Sequence, residues 1–136
     1  MKKHSLAFRR WLMGTSSSSY LVSKLSVKSR KEYKKFFEQF FEYNPWAQYP
    51  KMWHIDHVVP LCMFNESEIG LAWSQENLKP LPPKANKRKG ASAYEATQEI
   101  LARLKDNPKN KNLIALKVKL DKAIPKVNVR KIRFFK

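Results

Sequence analysis

The chain has 136 residues, with 28 Lys and Arg against 11 Asp and Glu and a formal charge of +17. This length allows one modest domain with a core of its own, and no apolar run approaches the ~18 residues that span a bilayer. The single cysteine, Cys62, excludes a disulfide framework and a four-cysteine zinc site and fits a reducing compartment.

The charge exceeds the net ~2–8 that keeps a small domain soluble. It points to a polyanion, and to nucleic acid ahead of a membrane surface, because the basic residues are spread over several segments. No acid precedes Glu32 and none follows Asp121. Residues 1–28 and the tail 125–136 therefore read as basic segments that could contact phosphates. Arg9, Arg10 and the run Ser16–Ser19 also have the composition of an organellar targeting segment, the minority alternative to a cytoplasmic protein.

In chain order, residues 5–13 read as a short helix stopped near Gly14, and 20–27 as a further helical turn. The segment 29–44 is the best helix. Ser29-x-x-Glu32 is a capping box, and Tyr33, Phe36, Phe37, Phe40 and Phe41 recur at helical spacing. Such a stripe could stack bases, but a core-facing stripe is its ordinary meaning. Asn44-Pro45 ends the helix.

WHIDHVVPL, 53–61, reads as a strand closed by Pro60, with 63–72 a connector of little pattern. NLKPL, 77–81, is a second apolar stretch. Pro82-Pro83 would open a short helix, 83–89, stopped by Gly90. Ser92-x-x-Glu95 starts a helix to about 104 with Tyr94, Thr97, Leu101 and Leu104 on one face. After Asn107-Pro108 a helix over 111–123 buries Leu113, Leu116, Leu120 and Ile124. No internal repeat is visible, and the whole chain reads as one α+β domain, mostly helical outside a β-hairpin. Trp73 and Cys62 read as core, and His4 carries no signal.

An Asp and a His stand side by side in the first apolar strand, and buried charge is expensive unless it is paired or binds a metal. Three blocks then follow in order: Trp53 to Leu61, Asn77 to Leu81, and Asn86 to Gly90. Together they resemble the HNH endonucleases, whose ββα-metal motif has a His on its first strand, an Asn in the middle and a His or Asn on its helix. Members of the phage and intron-encoded homing type often read W-x-I-D-H-x-x-P-L, then N-L-x-P-L, then N-x-x-K-G. The resemblance covers 53–90 and implies a compact ββα-metal core flanked by helices, cleaving DNA to 5′-phosphate and 3′-hydroxyl ends.

The resemblance implies roles for single residues. Asp56 and Asn86 would hold one Mg²⁺ or Mn²⁺, which prefer oxygen ligands. His57 would be the general base, its unperturbed pKa of ~6.5 suiting that task. Asn77 would complete the catalytic set by tying the connector to the strand and so orienting His57. His54, Lys84, Lys87, Arg88, Lys89, Arg130, Lys131 and Arg133 are the expected DNA contacts. Many relatives have His where this chain has Asn86, which weakens a case for Zn²⁺, and a structural zinc cannot form. The expected partner is double-stranded DNA, the expected state a monomer with a dimer as the alternative, and the role homing or, alternatively, phage packaging. A non-catalytic basic DNA-binding protein is the rival from another class. Adjacent strand residues face opposite ways, so Asp56 and His57 need a twist, a bulge or a site at the strand edge to act together.

Overall fold

α1, His4–Leu12, shows first where the basic N-terminal segment goes. Phe8, Trp11 and Leu12 are buried, and the Phe8 ring packs on Tyr33 at 5.4 Å and on Trp73 at 4.8 Å. This helix is therefore part of the core and not a free arm. It closes on Gly14, whose φ of 76° lies in the left-handed region that glycine occupies without strain. The Gly14 N–H reaches Trp11 O and the Thr15 N–H reaches Arg10 O, the paired bonds of a Schellman stop.

The computed structural model describes residues 4–15, 19–82 and 93–123. α2 spans Ser19–Lys24 and α3 spans Arg30–Glu38. Ser29 caps α3, its hydroxyl accepting from the Glu32 N–H at 3.2 Å. α3 is shorter than the aromatic periodicity predicts. Phe40 and Phe41 donate to carbonyls only three residues back, so the last turn tightens before Asn44-Pro45. Tyr33 and Phe37 face the core, while Phe40 is 45% exposed.

β1 is His54–His57 and β2 is Leu78–Leu81, an antiparallel two-stranded sheet. Both are shorter than the apolar runs that announce them. Val58 and Val59 are buried beyond the end of β1, and a 3₁₀ turn takes Leu61–Met63. Trp53, just before β1, is locked into an aromatic cluster with Phe37, Phe41, Trp46 and Tyr49. Its indole donates to Pro45 O at 2.9 Å.

The connector is not patternless. Asn65 donates its backbone N–H to the Glu68 carboxylate at 3.1 Å, nucleating a 3₁₀ turn at Glu66–Glu68 and then α4, Ile69–Ala72. Asn-x-x-Glu before an apolar pair is the sequence signal for it. Cys62 is exposed, a correction to its reading as core, because the 3₁₀ turn rotates it outward.

α5, Ala93–Asp106, and α6, Lys111–Ala123, form a helical hairpin. α6 buries Leu113, Leu116 and Leu120. α5 buries Ala93, Ala96 and Ile100, and Leu101 is 42% exposed. Its predicted face is displaced because small alanines, weak in any hydrophobicity reading, make the close contact. The architecture is α+β and mostly helical, and among the described residues no helix is long and apolar enough to cross a membrane. The expected helix over 83–89, the Ser92 cap, Ile124 and the tail 125–136 lie outside the described residues.

Candidate active site

His54 pairs opposite Leu81, Ile55 opposite Pro80, Asp56 opposite Lys79 and His57 opposite Leu78. The register is unbroken, so no bulge re-aims Asp56 or His57, and the two side chains take opposite faces. They can address one centre only at the end of the strand, and His57 is the last residue of β1.

The end of β1 is held by one side chain. Asn77 is fully buried. Its Oδ1 accepts from the Val59 N–H at 2.8 Å, and its Nδ2 donates to Val59 O and to Ala72 O, each at 3.1 Å. Its main-chain carbonyl accepts from the Val58 N–H at 2.8 Å. The amide thus ties the chain leaving β1 to the last residue of α4 and to the start of β2. With oxygen and nitrogen both spent on backbone, it is an orienting group and not a metal ligand.

His57 stands edge-on to Trp73, the ring centroids 4.3 Å apart. Its Nε2 is buried with no hydrogen-bond partner among the described residues. Burial pushes its pKa down to about 3, because desolvation disfavours the imidazolium. The direction is away from the ~6.5 of a free imidazole and toward the neutral ring.

Asp56 is half-buried. Burial raises its carboxyl above the usual range, and Lys79 across the ladder and the His57 backbone N–H pull it back. A carboxylate desolvated in this way gains from a cation. As a hard oxygen donor it fits Mg²⁺ or Mn²⁺. Among the described residues no three of His, Cys, Asp and Glu converge. Asn86, the expected second ligand, lies outside the described residues, as do Lys84, Lys87, Arg88, Lys89, Arg130, Lys131 and Arg133. His54 is half-buried on the same strand face as Asp56.

Two further features escape a reading of the sequence. His4 is buried and bonded to Glu66 at 2.7 Å, pinning α1 to the connector. Arg103 of α5 reaches the backbone at the start of β2; a lone arginine between Ile100 and Leu104 is its sequence signal. A cleft of about 410 Å³ lies beside Arg103, lined by Phe36, Phe40, Gln75 and Glu99 among others, and includes neither Asp56 nor His57. Comparisons with family models, curated proteins and solved structures each return no match.

Proposed function

We propose that the chain is a metal-dependent endonuclease of the HNH type, hydrolysing phosphodiester bonds of double-stranded DNA. One observation carries the reading: Asp56 and His57 end a strand whose continuation, Val58–Val59, is gripped by the buried Asn77 amide. Packing alone does not require a carboxylate, an imidazole and an anchoring amide at one strand end. The +17 charge supports a polyanionic substrate.

In this reading Asp56 and Asn86 hold one Mg²⁺ or Mn²⁺ ion. When bound, that ion supplies charge stabilisation at the phosphate and the leaving oxygen. His57, the last residue of β1, would accept the proton of the attacking water, its place set by the Val58–Val59 backbone that Asn77 holds. Lys79 faces Asp56 across the ladder and contributes positive charge at the same place. The products carry 5′-phosphate and 3′-hydroxyl ends, and the role is of the phage or intron-associated homing type.

The burial of His57 against Trp73 favours a second reading, a basic DNA-binding protein in which the imidazole is a core group. Supercoiled plasmid with Mg²⁺ separates the two. The nuclease reading expects nicked or linear product from the wild type and none from Asp56→Ala, with DNA affinity in Ca²⁺ retained. Binding without any Mg²⁺-dependent cleavage by the wild type would establish the second reading instead.

A further inference from the structure

Along the chain from α4 into β2 the carbonyls of Gln75, Glu76 and Leu78 converge on one side chain, and Gln75 O also accepts from the Leu78 N–H. The Nη1 of Arg103 donates to Glu76 O and Leu78 O at 2.9 Å each and lies 3.4 Å from Gln75 O. Its Nε donates to Glu99 at 3.0 Å, which neutralises the guanidinium within α5. The Phe36 and Phe40 rings stand 5.6 and 5.9 Å from its central carbon. The side chain is 14% exposed; Nε and Nη1 are used in these bonds, while Nη2 is buried with no hydrogen-bond partner among the described residues.

The place of these carbonyls gives the arginine its meaning. They flank Asn77, whose amide holds Val59, and Leu78 is the register partner of His57. We infer that Arg103 is a positioning residue: it fixes the Gln75–Leu78 backbone and, through Asn77 and Leu78, sets where His57, Val58 and Val59 stand. Lysine would not replace it, because an ammonium lacks the planar fork that serves Nε and Nη1 at once and stacks on rings. The activity part of the test rests on the nuclease reading; the structural part does not.

The experiment compares backbone hydrogen exchange and cleavage in wild type, Arg103→Met and Arg103→Gln. Gln keeps a polar group and part of the packing if Met fails to fold. The Val58 and Val59 amides should lose at least about tenfold protection, the change of a ~1.4 kcal/mol loosening, while Tyr33 and Phe37 in α3 keep theirs. Single-turnover cleavage should fall by roughly 10²-fold, the loss that follows a misplacement of about 1 Å, with affinity in Ca²⁺ unchanged. Added guanidinium ion should restore part of the rate to Arg103→Ala, and urea should not. Unchanged protection at Val58 and Val59, or an equal loss at every amide, would overturn the inference. A wild type that cuts no DNA defeats the nuclease reading, and the exchange data still decide the role of Arg103.

Discussion

At the scale of single residues, the Asp-His pair poses an energetic question that its neighbours answer in opposite ways. Burial holds His57 neutral down to about pH 3, whereas an unfolded chain protonates its histidine near ~6.5. Between those values the unfolded state binds the extra proton, so this contribution to stability is complete above ~6.5 and is lost as pH falls. Asp56 has the other sign. Its carboxyl is raised, chiefly by burial, so its contribution is present at low pH and lost as pH rises through the folded value. His57→Asn, which removes the titrating ring but keeps a polar group, should therefore flatten the fall in melting temperature between pH 7 and pH 4. Parallel curves for variant and wild type would contradict a buried neutral ring. The pair is legible in the sequence because a charge inside an apolar run is conspicuous. The depressed basicity of His57 is not, because it comes from burial in the folded chain, where Trp73, sixteen residues away, stands edge-on to the ring.

At the scale of elements, legibility depends on whether local signals agree. The Ser29 cap, the Gly14 stop and the leucines of α6 each stand in sequence beside the element they define. Strand ends are harder to place. Val58 and Val59 continue the apolar run but bond to Asn77 instead of to a ladder partner. The face of α5 is displaced from its predicted position because its buried positions include alanines, whose value lies in how closely they let a neighbour approach. α4 shows the same logic. A Cβ on Gly70 would stand 2.2 Å from the carbonyl oxygen of Lys24, so α2 and α4 touch backbone to backbone. Gly70→Ala should cost about 1–3 kcal/mol, the range for overpacking, since the obstructing atom is backbone and cannot rotate aside. Urea unfolding of the purified variant measures it, and a midpoint equal to wild type would mean that the two helices move apart freely.

At the scale of the whole molecule, the charge has to be placed on a folded body before it can be assigned a partner. Deleting the N-terminal segment would remove Phe8, Trp11 and Leu12 from the core, so weakened DNA binding by such a truncation would report unfolding. Substitution on the surface avoids this. Arg9 and Arg10 on α1 and Lys31 and Lys35 on α3 are all exposed, and α1 packs on α3, so changing them to Gln leaves the core intact. Each phosphate that the protein neutralises steepens the dependence of log affinity on log salt by roughly 0.9. If these four cations face the DNA backbone, the combined variant should flatten the slope by roughly 0.9 for every phosphate they neutralise, with an unchanged melting temperature. Removal of residues 125–136 is the companion measurement, and the two effects on the slope should add if both surfaces lie along one duplex. A slope that stays at the wild-type value in the Gln variant would assign these charges to solvation of the surface, and phosphate binding would then have to come from the tail or from Lys84, Lys87, Arg88 and Lys89.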